Sequence, residues 1–162
     1  MKFRMLIIVL LALFVASCST ITPNPDFSVT WLSNNGYAVG SDTSFVIIDE
    51  LEIQNNAAVE TVIYRSTYQY IKNGIIIYDS PTDTFMSMNI LLPANKSVGD
   101  SIVVGTATIE NLPFPLPDEV WDKMVENDWE GVTLRVFLHG KDNYGYNKTC
   151  SESFDFGVIA IK

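Results

Sequence analysis

From Phe27 onward, apolar and polar residues alternate with a period of two, the signature of strands that bury one face. Phe27, Val29 and Trp31 alternate with Ser28, Thr30 and Leu32 and predict an opening strand with one buried face. A turn-like Ser33-Asn34-Asn35-Gly36 follows, and Phe45 to Ile53 predicts the next strand, with Phe45, Ile47, Leu51 and Ile53 in phase. Asp49 and Glu50 interrupt that phase, and a bulge there is expected to keep both acids out of the core. Glu60 to Ile71 reads as a long strand: Val62, Tyr64, Ser66, Tyr68 and Tyr70 share one face, and Ile63, Arg65, Thr67, Gln69 and Ile71 the other. Lys72-Asn73-Gly74 supplies the Asn-Gly step of a tight hairpin, because both residues tolerate positive φ. Ile75 to Tyr78 returns beside the long strand.

Asp79 to Asp83 breaks the pattern and Phe85 to Leu92 resumes it. Pro93 to Asp100 is expected to turn, and Ile102 to Ile109, rich in Val and Thr, to form another strand. Pro113, Pro115 and Pro117 are then expected to interrupt pairing. Asp118 to Asn127 fits a short helix with Val120, Trp121, Met124 and Val125 at one-face spacing, Pro117 at its first turn and the acids Asp118 and Glu119 where the helix dipole favours them. Val132 to Leu138 alternates again, Gly140 to Asn147 turns, and Thr149 to Ile161 closes the domain. The pattern predicts an all-β fold over residues 27–162: an antiparallel sandwich of seven or eight strands, with one short helix in the connection around 118–127.

The amino terminus follows a different pattern. Lys2 and Arg4 precede an unbroken apolar run of ten residues, Leu6 to Val15, which ends at the small residues Ala16 and Ser17. This is the layout of a secretory signal. The run is half the ~20 residues a helix needs to cross a bilayer, so cleavage is expected and not a permanent span. Val15-Ala16-Ser17-Cys18 resembles the lipobox of bacterial lipoproteins. In that family the cysteine thiol receives a diacylglyceryl group, the signal is cut before it, and the new amino terminus is usually acylated. The resemblance implies a signal peptide over 1–17, lipidation of Cys18, and attachment to a membrane of the bacterial cell envelope. Ser19 resembles the class sent to the outer membrane where a second membrane exists. Each buried methylene adds ~0.8 kcal/mol, so two or three chains on one residue hold a protein durably. Residues 18–26 would form the lipidated cysteine and tether. Ser19 to Asp26, polar and carrying Pro23 and Pro25, spans at most ~26 Å at ~3.3 Å per residue.

A second resemblance lies at the other end of the chain. Val136-Phe137-Leu138-His139-Gly140-Lys141-Asp142-Asn143-Tyr144-Gly145-Tyr146-Asn147, with the strand after it, is similar to the last hairpin of immunoglobulin-like domains in bacterial surface proteins and lipoproteins. No Cys-Trp-Cys pattern of the antibody type is present, so the likeness is to fibronectin-like or bacterial immunoglobulin-like sandwiches. A late-embryogenesis-abundant type of sandwich shares the expected strand count. Neither resemblance brings catalytic residues with it.

Composition narrows the function classes. The 162 residues hold 10 basic and 19 acidic side chains, a net charge of −9. The signal contains Lys2 and Arg4 and no acid, so the mature chain carries 8 basic against 19 acidic residues, a net of −11. Such a balance argues against nucleic acid as a partner, and it makes the acyl group, not surface charge, the expected membrane attachment. With Cys18 acylated, Cys150 is expected as a small hydrophobe or a minor redox liability. Its sequence neighbours Lys148 and Glu152 roughly cancel.

Each candidate for chemistry has a structural alternative. His139 is the sole histidine, which excludes a His-rich metal site, and no Gly-x-Ser-x-Gly elbow accompanies it; it is expected on the sheet face opposite Val136 and Leu138. Asp49-Glu50 and Asp118-Glu119 are adjacent carboxylates, but strand neighbours point to opposite faces, so Asp49 and Glu50 converge only at a bulge. Asp142, Asn143 and Asn147, with Asp83, offer oxygen ligands for Ca²⁺ without the spacing of an EF-hand. Asn95-Lys96-Ser97 and Asn147-Lys148-Thr149 match glycosylation acceptors, read as coincidental beside a bacterial signal. No cofactor, metal or catalytic residue is assigned.

The densest cluster is Asp118 to Glu130, with six acids against Lys123 and with Trp121 and Trp129 among them. It reads either as a solvated acidic helix whose tryptophans cap the sandwich, or as a recognition surface of Trp121, Trp129, Asp122, Glu126, Asp128 and Glu130 for a basic partner. The functional expectation is a non-enzymatic, membrane-anchored envelope module that binds a protein or glycan or serves as an accessory subunit. The alternative is an envelope enzyme of unrecognised type, such as a glycan-active hydrolase.

Overall fold

The computed structural model describes residues 23–34, 36–80 and 86–161. The signal sequence, Cys18, the start of the tether and Asp83 lie outside the described residues. Among these, eleven strands and one helix occur: β1 (Phe27–Leu32), β2 (Gly36–Val39), β3 (Phe45–Asn55), β4 (Thr61–Lys72), β5 (Ile75–Asp79), β6 (Met86–Leu92), β7 (Lys96–Val98), β8 (Ser101–Val103), β9 (Thr106–Pro115), α1 (Asp118–Glu126), β10 (Gly131–Asp142) and β11 (Thr149–Ala160). The protein is thus mostly β with one short helix. The count exceeds the seven or eight expected. Gly36–Val39 forms a strand, and the 93–109 segment divides into a small hairpin and a separate long strand.

Two sheets bury their apolar faces against a common core. The smaller has the order β1-β3-β9 and is antiparallel. The larger has the order β2-β11-β10-β4-β5, with β6 sharing the outer edge of β4. It is mixed, because β2 pairs parallel with β11, which corrects the expectation of a wholly antiparallel fold. Val46, Ile48, Leu51 and Ile53 of β3 and Phe114 of β9 meet the facing residues Leu134, Val136 and Leu138 of β10 and Phe156 of β11 in one cluster. Among the described residues, β7 and β8 pair only with each other.

Three strands change phase, and each change corrects an expectation. Val46 and Ile48 point inward where Phe45 and Ile47 were expected, and Leu51 and Ile53 continue inward after Asp49 and Glu50. The inversion is shared with β9: the ladder passes from Ile48↔Leu112 to Glu50↔Glu110, and Asn111 adopts a positive φ of 52°. In β4 the register shifts between Ile63 and Arg65, so Ile63 is buried in place of Val62, while Ser66, Tyr68 and Tyr70 face the core. In β1 a shift between Val29 and Trp31 turns Trp31 outward, 47% exposed.

Pro113 and Pro115 do not interrupt pairing. They sit in β9 opposite Ile47 and Phe45. Leu116 donates its N–H to the Ser44 carbonyl at 2.9 Å, so by alternation the two prolines turn their donor-less nitrogens to the free edge, where no ladder bond is lost. The β4–β5 hairpin closes as expected, with positive φ at Asn73 (51°) and Gly74 (80°).

The two ends of the molecule differ. Phe27 opposes Asn55, and Thr61 opposes both Leu92 and Asp142, which gathers the tether and the loops after β3, β6 and β10 at one end. α1 follows β9 at the other end. Pro117 is its N-cap and not part of its first turn, and Val120 and Met124 are buried while Val125 is exposed. Asp128 at φ 53° ends the helix: its N–H reaches the Val125 carbonyl at 3.2 Å and that of Trp129 the Met124 carbonyl at 2.9 Å, the double bond of a Schellman motif.

Candidate functional site

The acidic segment is built on that helix cap. Asp122, Glu126, Asp128 and Glu130 are exposed, whereas Trp121 and Trp129 are half-buried and pack on the core. The Lys72 ammonium lies 5.5 Å from the centre of the Trp129 ring and donates to the Gly131 carbonyl. Lys123 donates to the Ile77 carbonyl at 2.8 Å and lies 3.9 Å from Glu119, so the one cation of the segment is engaged in docking α1 on β5. The acids face solvent while the rings serve in packing.

The accessible tryptophan is Trp31. It borders a cleft of about 460 Å³ lined by Val29, Thr30, Trp31 and Leu32 of β1 and by Glu152, Ser153 and Phe154 of β11. Two strand edges face this cleft. Among the described residues, β1 is the edge of the smaller sheet, and β2 covers β11 only at Gly157–Ala160, leaving the first eight residues of β11 paired on one side alone. The Ile161 N–H bonds to β2, so by alternation Ser151, Ser153 and Asp155 turn their backbone groups toward the open edge. Glu52 and Glu152 add negative charge near the cleft, and Thr30 Oγ1 donates to Glu52 Oε1 at 3.1 Å. Sequence alternation places Trp31 on the buried face; the register shift in β1 is a property of the pairing with β3 and has no signal in the chain itself.

His139 lies on the outer face of β10, with Nε2 3.2 Å from Thr67 Oγ1. Burial, and then the Arg65 guanidinium, lower its pKa, so the ring is neutral at pH 7. Asp49 is exposed and Glu50 half-buried at the β3 inversion. Asp142 closes the β10–β11 loop, accepting from the N–H groups of Tyr144 (3.1 Å), Tyr146 (2.9 Å) and Lys148 (2.8 Å). Burial raises its pKa, but the backbone donors outweigh that and hold it below the usual carboxylate value. Asn143 Nδ2 donates to Glu60 Oε2 at 3.1 Å. Among the described residues, no group of three or more His, Cys, Asp or Glu side chains is placed to hold a metal. Cys150 is half-buried; burial, and then the Asp26 carboxylate, push its thiol up to about 11, which leaves it a poor nucleophile.

No protein-family model matches the chain, and no curated protein matches it. Among solved structures it is similar to a protein from Archaeoglobus fulgidus, at 16% identity over 74% of this chain and 98% of that one, with a TM-score of 0.35.

Proposed function

We propose that the protein is a non-enzymatic, lipid-anchored module of the bacterial envelope that binds a partner through an immunoglobulin-like domain. The anchor is Cys18, read from Lys2, Arg4, the apolar run to Val15 and Val15-Ala16-Ser17-Cys18, with the outer membrane as destination where the organism has one. Two sheets about one core and the β10–β11 hairpin support the immunoglobulin-like assignment.

The observation that carries the binding role is the cleft between β1 and β11. An extended segment of a partner protein can add to an open strand edge through its main chain, while Trp31 supplies amphipathic contact area and Glu152 favours a basic side chain. The site lies on the strand that directly follows the tether. Affinity capture from detergent-solubilised membranes with the acylated full chain tests this. The expected result is one reproducible partner that is lost on Trp31→Ala. A partner retained by that variant would move the site elsewhere, and no partner at all would leave a purely structural lipoprotein.

A further inference from the structure

We infer that the tether end of the domain is itself a lipid-contact surface, with the β7–β8 hairpin seated in the bilayer interface. The inference rests on the reading of Cys18 as the anchor. It adds a contact that anchoring alone does not require.

The hairpin is exposed along its whole length. Ile102 is 69% exposed, Val98 62% and Val103 55%, and Val104 follows them. The register pairs Lys96 with Val103 and Val98 with Ser101 on one face, and Ser97 with Ile102 on the other. Both faces therefore present exposed apolar side chains, Val98 and Val103 beside Lys96 and Ser101 on one and Ile102 beside Ser97 on the other. A groove on a partner protein covers one face of such a hairpin; a surrounding apolar medium covers both. Asp100 at the turn sets the depth, since a carboxylate belongs at headgroup level and not in hydrocarbon.

The hairpin is held at the end where the tether arrives. The Asn56 N–H bonds the carbonyl of Asp26, the last tether residue, at 3.0 Å. Asn55 donates its N–H to the Gly105 carbonyl at 2.8 Å, and Gly105 donates to Asn95 Oδ1 at 3.0 Å, so both feet of the hairpin are fixed beside the tether. Gly105 itself packs on the Pro93 carbonyl, where a Cβ would lie 1.9 Å from the oxygen. The β10–β11 loop stands at the same end, tied to Glu60 by the Asn143 N–H at 3.0 Å, and exposes Tyr144 and Tyr146. Tyrosine, apolar in body and polar at its tip, suits the headgroup level. A tether of at most ~26 Å keeps this end close to the lipid, so a weak insertion suffices to orient the domain. The acidic helix α1 then points away from the membrane.

The test uses the acylated full chain in phosphatidylcholine vesicles whose acyl chains carry bromine, a contact quencher of tryptophan. Ile102→Trp places a reporter on the hairpin, and Ser41→Trp, at the opposite end, serves as the control. The emission added by Ile102→Trp is expected to fall about twofold in brominated vesicles, with that added by Ser41→Trp unchanged. Unquenched Ile102→Trp emission in an acylated chain overturns the inference and leaves the hairpin to a protein partner. Equal quenching at both positions overturns it too, because the domain would then lie flat. A chain that carries no acyl group on Cys18 overturns the anchor reading, an outcome the mass of the same sample reports separately.

Discussion

The Asn55 side-chain amide donates to the Pro93 carbonyl at 2.9 Å, joining the end of β3 to the foot of the β7–β8 hairpin. The same nitrogen reaches the Val59 carbonyl at 2.9 Å, and Oδ1 accepts from the Ala57 N–H at 2.9 Å, so one fully buried side chain organises the whole tether end. Asn55→Ala leaves these backbone groups without a partner in the core and is expected to cost about 2–3 kcal/mol in denaturant unfolding. Amide exchange of residues 94–105 should rise along with it. A stability within error of the parent would show that Asn55 is not the organiser.

Trp129→Ala is expected to destabilise by about 2 kcal/mol, because the half-buried ring packs on the core under Lys72 and follows the helix cap. Trp31→Ala, at the exposed rim of the cleft, is expected to change stability by no more than about 0.5 kcal/mol while abolishing partner capture. A large loss of stability in Trp31→Ala and none in Trp129→Ala would invert the assignment of packing and binding roles.

Asp142 sets an acid dependence. Its carboxyl titrates lower in the folded chain than in the unfolded one, so its stabilisation is complete above the unfolded value of ~3.9 and is lost as pH falls through the folded value. Asp155, lowered by its paired hydrogen bonds from Arg135 at 2.7 and 2.9 Å, acts in the same direction with a smaller effect at an exposed site. His139, lowered as well, begins the decline earlier, as pH drops below ~6.5 and the unfolded ring takes a proton more readily. Thermal midpoints should therefore fall progressively from neutral pH to pH ~3, and Asp142→Asn should flatten the lowest part of that curve while lowering the midpoint at pH 7. An unchanged slope would remove Asp142 from the account.

Ser66 is 1% exposed on the core face of β4, and among the described residues its hydroxyl has no hydrogen-bond partner. Ser66→Ala removes a buried, unsatisfied polar atom and is expected to be neutral or to stabilise by up to ~1 kcal/mol. A clear loss would reveal a partner for the hydroxyl.

What the chain discloses in advance is local. Asn73-Gly74 announces its hairpin because positive φ at two successive positions is written in the residue types themselves. The β10 alternation of Val132, Leu134, Val136 and Leu138 reads directly as a buried face because that strand is flanked by partners on both sides along its length. The first half of β3 departs from its alternation because its inversion depends on Asn111, in a strand distant along the chain. Pro113 and Pro115 pair in β9 against their residue type because a proline's tolerance in a strand depends on which edge it faces, which only the sheet order decides. β2, with a glycine and three other residues, has too little alternation to announce itself and owes its strand geometry to β11. Trp31 faces outward against its alternation for the same reason: a one-residue register shift turns a side chain to the other face.

The anchor is the premise on which both the envelope role and the orientation of the domain stand. Mass analysis of the amino-terminal peptide, from full-length protein expressed in a bacterium and extracted from its membranes, tests it directly. The expected result is a chain that begins at Cys18 and carries a diacylglyceryl group on sulfur, with or without a further acyl chain on nitrogen. A chain that begins elsewhere, or an unmodified Cys18, would contradict the account.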